Sequence, residues 1–592
     1  MEKKRYLLGN HAVAFGLVEG GLVASFAYPG TPSSEITEKL VELAGEGRFY
    51  VEWSVNEKVA FETAYGVALS GHRAAAIMKH VGLNVAADSL MTAAYTGVVG
   101  GLVVVVADDP AVHSSQNEQD SRRYACFAKV PCFEPSSPQE ALEMARFCFS
   151  FSEEFGLPVL LRLVTRLAHG KSDVQLGGQV QVSRIKAGFK KDPLRFVMVP
   201  ANARKAGQGL NEKQQLLAQA MEKVPFNQFQ KAPGDTLIIA AGLGWLYAQE
   251  VLARRQEAWP MVKVATYPVF ENQLKEALKE VRRVLVIEEG EPVLEEMVER
   301  FSRKVNPGLD IHGKMDGCLP REGEFSVELI AQSLDRMAGK PPRVFSSSPS
   351  LPMRPPVLCP GCPHRASFQL LKKVFGQSAI FPGDIGCYTL GINMGTIDTC
   401  LCMGAGISTG AGLARMESDR PVVAIIGDST FFHAGIPALI NAVYNEANLV
   451  VAILDNRTTA MTGHQPHPGT GETALGRKSR EVALEKICQA AGADTVVLDP
   501  YQVKESLSVL EEIRKGKGVR VVIFRRGCVL LEKKESRSEI VVAQENCRGC
   551  KICLKSGCPA IQWLEKTPVI TQFCTGCGLC VAFCPHQALV KK

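Results

Sequence analysis

"PVVAIIGDST" (421–430) runs a string of apolar and small residues straight into Gly-Asp-Ser, without the alternation of a half-exposed strand. A continuous apolar run stopped by a turn reads as a strand buried on both faces. "AGIPALINAVYNEA" (434–447) follows with helical spacing, and "LVVAILDNRT" (449–458) is a second strand of the same kind. Strand, helix, strand is the unit of a parallel α/β sheet. The pattern recurs upstream at 74–78 and 102–107, in "TLIIAAG" (236–242) and in "VRRVLVIEEG" (281–290), which predicts a multidomain α/β protein.

Three α/β domains are expected, at 1–175, 232–340 and 357–535. Residues 176–231, rich in Gln, Lys and Gly, read as a connector, and "PPRVFSSSPSLPMRPP" (341–356) as a Pro/Ser-rich linker. A cysteine-rich tail occupies 540–592. "AAGLGWLYAQ" (240–249) carries a lone Gly-x-Gly, which reads as a tight strand-to-helix turn before it reads as a dinucleotide site.

The apolar run near 95–107 is too short to span a bilayer, and the N-terminus lacks a clear apolar core and cleavage site of a secretion signal. The expected location is the cytoplasm. A net charge of +6 spread over 592 residues, with no dense Lys/Arg block, argues against nucleic acid as a partner. Nineteen cysteines without a secretion signal point to thiolates that bind metal or clusters, not to a disulfide framework.

Eight of those cysteines lie in the tail. "CRGCKICLKSGCP" (547–559) and "CTGCGLCVAFCP" (574–585) are a tandem repeat in which Cys547, Cys550 and Cys553 are answered by Cys574, Cys577 and Cys580. Each run ends in Cys-Pro, at Cys558 and Cys584. The spacing resembles two-cluster bacterial ferredoxins, where the last cysteine of each run serves the other run's cluster. That implies one [4Fe-4S] cluster on Cys547, Cys550, Cys553 and Cys584, and another on Cys574, Cys577, Cys580 and Cys558. The first run has one residue more than usual before its last cysteine. Zinc is the alternative, and the CxxCxxC triplets fit a cubane cluster better. Residues 541–592 carry six basic against two acidic residues, which suits an acidic electron carrier or simply a solvated surface.

Gly427, Asp428 and Ser429, followed after a helix and the next strand by Asn456, resemble the thiamine diphosphate motif. The resemblance implies Mg²⁺ held by Asp428, the Asn456 side-chain oxygen and the Thr458 carbonyl, with Gly427 allowing close approach to the diphosphate. Ser429 stands where the motif has glycine. In such enzymes a second α/β domain supplies a carboxyl to the aminopyrimidine, so that the cofactor's own imine removes the thiazolium proton. "WSVNEKVAFETAYGVALSGHRAA" (53–75) resembles that segment, with Glu57 as the carboxyl and Glu62 as the alternative. "YPGTPSSEI" (28–36) offers Thr31 to the substrate, and "NEQDSRRYA" (117–125) offers Arg122 or Arg123 as a carboxylate clamp, each as readily a solvated surface residue.

Together these motifs resemble the 2-oxoacid:ferredoxin oxidoreductase family over nearly the whole chain. The domain order (pyrimidine-binding, transketolase C-terminal-like, diphosphate-binding, fused two-cluster ferredoxin) is most similar to the large subunit of its indolepyruvate-type branch. "AMTGHQPHPG" (460–469) fits that branch, because pyruvate-type relatives commonly have glycine where His464 stands. The resemblance implies oxidative decarboxylation of aryl 2-oxo acids with coenzyme A, electrons leaving through [4Fe-4S] clusters to ferredoxin. It also implies a small gamma-like partner subunit in an α2β2 assembly. A pyruvate or branched-chain specificity, a non-redox decarboxylase and a non-catalytic electron-transfer subunit are the alternatives. His464 and His467 are open between substrate contact, proton transfer and bracing the loop.

"CPGCPHR" (359–365) stands apart from the tail. In several relatives such a pair joins two later cysteines around a cluster near the cofactor, which implies a third [4Fe-4S] cluster on Cys359, Cys362, Cys387 of "GDIGCYTL" (383–390) and Cys528 of "FRRGCVLL" (524–531). Zinc through Cys359, Cys362 and His364, or a metal-free turn, are the other readings.

Overall fold

A computed structural model describes residues 3–45, 47–177, 188–341, 352, 355–531 and 539–592. The chain divides into two compact units, 1–350 and 351–592. Most of the Pro/Ser-rich stretch 341–356 lies outside the described residues.

Among the described residues the first unit holds two large sheets and an antiparallel pair, Lys3–Leu8 with Lys171–Leu176. The larger has seven strands in the order Thr266–Tyr267, Cys132–Phe133, Val159–Val164, Leu102–Asp108, Ala74–Lys79, Ala24–Ala27 and Tyr50–Trp53. All neighbours are parallel except the first pair, where Thr266 faces Phe133 and Tyr267 faces Cys132. Every residue of Ala74–Lys79, Leu102–Asp108 and Val159–Val164 is buried. Helices cover both faces, which is why these strands read as unbroken apolar runs. The second sheet runs Asp310–His312, Arg283–Ile287, Thr236–Ala241, Met261–Val264 and Gln228–Gln230, only the last antiparallel to its neighbour.

Two boundaries differ from the sequence reading. Residues 232–340 build their own sheet, but Thr266–Tyr267 leaves it to edge the sheet of 1–175. The stretch read as a connector contains the 22-residue helix Pro200–Met221, whose buried residues are Leu210, Leu217 and Met221. That spacing is one narrow helical stripe, hidden among Gln and Lys. The Gly-x-Gly turn is tight as expected: a Cβ on Gly242 would lie 2.6 Å from Glu134 Oε1, and one on Gly244 2.6 Å from Ile287. A carboxylate pressed on the turn leaves it unsuited to a phosphate.

In the second unit a four-stranded parallel sheet runs Val423–Gly427, Leu449–Asp455, Val519–Arg525 and Asp494–Leu498. Gly427 ends its first strand and Asp455 its second, so the motif residues stand together at the carboxyl edge, where α/β sheets bind ligands. Gly-Asp-Ser-Thr leads into one π-helical turn, Phe431–Gly435, before the helix Ile436–Tyr444. Such turns recur at functional sites. The tail is built on two antiparallel pairs, Ile540–Val542 with Leu589–Lys591 and Ile561–Leu564 with Thr567–Ile570. Among the described residues no helix is long and apolar enough to cross a membrane.

Candidate functional site

Glu57 is the first residue of the helix Glu57–Leu69, started by Asn56, whose side chain accepts the Val59 N–H at 2.9 Å. It is 5% exposed. Gly82, in the helix His80–Thr96, makes room for it: a Cβ there would lie 2.4 Å from Glu57 Oε1. Glu62, the alternative, is half-exposed and paired with Lys58 and Ser89. Burial, which a general carboxyl partner of a ring nitrogen needs, falls to Glu57 alone of the two.

Thr31 lies in the turn after Ala24–Ala27, in a cis peptide with Pro32, and its carbonyl accepts from Ser114 Oγ at 3.2 Å. Ser114 ties in a residue that sequence reasoning missed. Lys79, at the carboxyl end of Ala74–Lys79, is buried and donates Nζ to the Ser114 carbonyl at 2.6 Å. Among the described residues no carboxylate lies within 4.0 Å of that ammonium. Burial pushes it down to about 8, against the opposing pull of Asp109. Asp109 itself accepts from Ser114, Ser115 and Thr165.

Arg122 is not a substrate clamp. It is fully buried, and its guanidinium meets Asp120, Glu288 at 2.7 Å, Tyr267 Oη at 2.9 Å and the carbonyls of Glu289 and Glu291 at 2.9 Å. All its donors are spent inside a cluster that also joins Arg162 to Asp108 and Glu134. Arg123 pairs in a fork with Glu296 at 2.6 and 2.7 Å on the surface.

In the second unit, Asp428 is 3% exposed and accepts from Ser429 N at 2.8 Å, Arg457 N at 2.8 Å and His467 Nε2 at 3.0 Å. Gly469 N donates to His467 Nδ1 at 3.1 Å, so the ring proton sits on Nε2, facing the carboxylate. Burial would raise the Asp428 carboxyl, but His467 and the Ser429 N–H hold it below the usual range. Its neighbour Asp455 is pushed up to about 6 by burial and then by Asp428. Ser429 Oγ accepts from Thr459 Oγ1 at 2.9 Å. Asn456 Oδ1 accepts Thr458 N at 3.3 Å, and Thr458 Oγ1 is buried with no partner among the described residues.

His464 has φ +66°, the left-handed region where glycine is at ease, and its buried Nδ1 has no partner among the described residues. Gly427 meets Tyr388, whose ring would lie 2.4 Å from a Cβ there, and Tyr388 Oη donates to Thr430 Oγ1 at 2.8 Å. Asp384 accepts from Gly404 N at 2.8 Å and Gly406 N at 3.0 Å, shaping the start of the next helix, and burial raises it to about 6. Nitrogens surround Asp428 here, while Asp428, Asn456 and Thr458 themselves offer oxygens, the ligand type that Mg²⁺ takes.

The cysteines separate into three groups. One tail cavity is lined by Cys547, Cys550, Cys553 and Cys584, with Trp563 and His586. Another is lined by Cys558, Cys574, Cys577 and Cys580, with Pro360, Gly361 and Arg365. The two linings thus bring each run's first three cysteines beside the last cysteine of the other run. All eight thiols are free, and Gly576 N and Ala588 N donate to the sulfurs of Cys574 and Cys584 at 3.4 and 3.3 Å. The extra residue of the first run is taken up by the turn Ile552–Ser556, flanked by Lys551 and Gly557 at φ +58° and +61°. Among the described residues no three His, Cys, Asp or Glu side chains are drawn together as for a single metal ion.

Cys359, Cys362, Cys387 and Cys528, the set expected for a third cluster, lie near enough to influence one another's thiols. Burial pushes Cys387 up to about 11, helped by Cys528 and Cys359, and pushes Cys362 up to about 12, with Cys387 and Cys359 adding to it. Cys528 N donates to the Asn456 carbonyl at 3.0 Å. Cys400 and Cys402 are exposed. His364 does not join the cysteines as a zinc ligand: its Nε2 faces Asn456 Nδ2 at 3.5 Å, and burial pushes its ring down to about 4. The histidine that follows the pair in sequence is committed to the diphosphate motif.

Residues 16–230 match the family described as pyruvate flavodoxin/ferredoxin oxidoreductase, thiamine diP-bdg. Residues 384–524 match the C-terminal TPP-binding domain of thiamine pyrophosphate enzymes, and 567–590 the 4Fe-4S binding domain. The fold class is thus thiamine diphosphate-binding α/β with a C-terminal ferredoxin-type domain. The chain is 43% identical to the indolepyruvate oxidoreductase subunit IorA of Archaeoglobus fulgidus, over 99% of this chain and 97% of that one. It is 43% identical to that of Thermococcus kodakarensis over 98% and 96%, and 41% identical to that of Methanothermobacter thermautotrophicus over 99% and 97%. Identity of this order over the full length places the chain in the indolepyruvate oxidoreductase subunit IorA family, within the thiamine diphosphate-dependent 2-oxoacid:ferredoxin oxidoreductases.

Proposed function

We propose that the chain is the catalytic large subunit of an oxidoreductase that decarboxylates aryl 2-oxo acids such as indolepyruvate, forms the aryl-acetyl-CoA and passes electrons to ferredoxin. The observation that carries this reading is the bond between Cys528 N–H and the Asn456 carbonyl, which joins a four-cysteine group to the diphosphate motif. An enzyme that only decarboxylates has no use for an electron acceptor built onto that motif.

Thiamine diphosphate, when bound, supplies the nucleophilic carbon and holds the electrons left by CO₂. The chain's own residues do the rest. Asp428, the Asn456 side-chain oxygen and the Thr458 carbonyl would hold Mg²⁺, Gly427 and Ser429 would serve the diphosphate, and His467 orients Asp428. Glu57 would bond the pyrimidine nitrogen of the bound cofactor. Lys79, an ammonium with no carboxylate within 4.0 Å among the described residues, stands beside the Thr31 turn and takes the substrate carboxylate in place of Arg122. His464 meets the substrate. Cys359, Cys362, Cys387 and Cys528 would hold one cluster and the two tail sets one each, and these would supply one-electron acceptors. A small partner subunit completes an α2β2 assembly, and coenzyme A accepts the acyl group.

Purified with its partner subunit, the enzyme should reduce ferredoxin or a viologen dye with indolepyruvate and coenzyme A, and much more slowly with pyruvate. Preference for pyruvate overturns the substrate reading. Three clusters amount to about twelve irons per chain. About eight leaves only the tail pair.

A further inference from the structure

Arg365 closes "CPGCPHR" and is 2% exposed, yet among the described residues no carboxylate lies within 4.0 Å of it. Its guanidinium is fixed wholly by carbonyls on two cysteine loops. Nε donates to Cys359 O at 3.0 Å, Nη2 to Leu358 O, and Nη1 to Ser556 O, in the tail, at 2.8 Å. It also lines the cavity of Cys558, Cys574, Cys577 and Cys580.

The two loops are built to touch. A Cβ on Gly361 would lie 2.2 Å from Thr575 Oγ1, and one on Gly557 3.1 Å from Arg365 Nη1. Tyr501 fastens the same junction, donating to the Gly361 carbonyl at 2.7 Å with Arg526 stacked on its ring at 4.1 Å.

A buried cation without a counter-ion is costly, and Arg does not escape by losing its proton. Among the described residues the groups near it able to become anionic are cysteines, four in the tail cavity and the Cys359 and Cys362 pair beside it. A cluster that accepts one electron gains one negative charge, and a fixed cation in a dry site favours that state. We propose that Arg365 is a shared counter-charge for the two cysteine groups it bridges, raising the reduction potential of each and so easing transfer from the diphosphate side into the tail. This rests on the cluster assignments above.

The test is a redox titration of the holoenzyme followed by electron paramagnetic resonance, with iron and acid-labile sulfide measured on the same samples. Arg365→Gln keeps hydrogen-bonding capacity but not charge, and should lower the midpoint of the Cys558, Cys574, Cys577 and Cys580 cluster by at least a tenfold change in its reduction equilibrium, about 59 mV for one electron. Arg365→Lys keeps the charge and should retain most of the wild-type midpoint. Unchanged midpoints in a fully loaded Gln variant overturn the proposal. If the Gln variant fails to load its clusters, the Lys variant decides: a near-native midpoint supports the counter-charge, and failure of both to load makes Arg365 a structural tie only. Wild-type enzyme with only two cluster signals removes the third-cluster reading, while the shift of the Cys558 cluster still tests Arg365.

Discussion

His467 donates Nε2–H to the Asp428 carboxylate at 3.0 Å while its Nδ1 accepts the Gly469 N–H at 3.1 Å. The backbone thus chooses the tautomer, and the tautomer aims the carboxylate. Asp428→Ala should abolish Mg²⁺-dependent binding of thiamine diphosphate. His467→Phe should leave the oxygen donors in place but weaken that affinity by roughly 10–100-fold, as loss of an outer-shell partner does. Titration calorimetry with and without Mg²⁺ checks both, and unaltered affinity in either variant moves the metal site elsewhere.

Gly82 touches Glu57 more closely than a methyl group allows. Gly82→Ala should therefore displace the carboxyl and reduce turnover at least tenfold, with Glu57→Gln at least as severe. Iron content should stay unchanged in both. Near-normal dye reduction by Glu57→Gln removes it as the activating acid.

Lys79 couples substrate recognition to stability with opposite signs. Its folded pKa of about 8 lies below the ordinary 10.5, so between those values the unfolded chain binds more protons. Burying the charge costs stability in full below pH 8, and the cost fades as pH rises toward 10.5. Lys79→Met should raise the melting temperature at pH 7 by more than at pH 10. A charged hydrogen bond is worth about 1.5–3 kcal/mol, so the variant's KM for the 2-oxo acid should rise roughly tenfold to a hundredfold. A melting gain with an unchanged KM leaves Lys79 outside the substrate site.

Arg122 should show the reverse. Removing one partner of a buried ion cluster costs about 3–5 kcal/mol, so Arg122→Met should melt far earlier or fail to fold. Arg123→Gln, at the surface, should change neither stability nor KM by much. Thermal scans and steady-state kinetics separate the two.

Cys558→Ser tests the crossed cysteine sets. It should remove the cluster served by Cys574, Cys577 and Cys580, about four irons, and leave the one served by Cys547, Cys550 and Cys553. Loss of the latter signal instead would mean that each run closes on itself.

Legibility followed distance along the chain. Gly427, Asp428 and Asn456 could be read because strand periodicity carries them to one sheet edge, and the tail sets because their spacing repeats. Arg122 could not, since a partner that neutralises it, Glu288, lies 166 residues away and no local pattern announces it. His464 and His467 looked equivalent in sequence. Only the fold gives one a carboxylate and leaves the other at a positive φ. Lys79 ends a buried strand, and the distance of any described carboxylate from its ammonium is a property of space, not of spacing.

The two residues Thr266 and Tyr267 that edge the first sheet have a consequence for biosynthesis. Their partners, Phe133 and Cys132, leave the ribosome long before them. Until they arrive, Cys132–Phe133 is an unprotected margin, a template for pairing with another nascent chain. The helix Pro200–Met221 emerges in that interval. Slow translation through residues 134–265 should therefore favour misassembly, and co-expression conditions that slow elongation should lower the yield of this subunit more than that of a protein with a locally closed sheet.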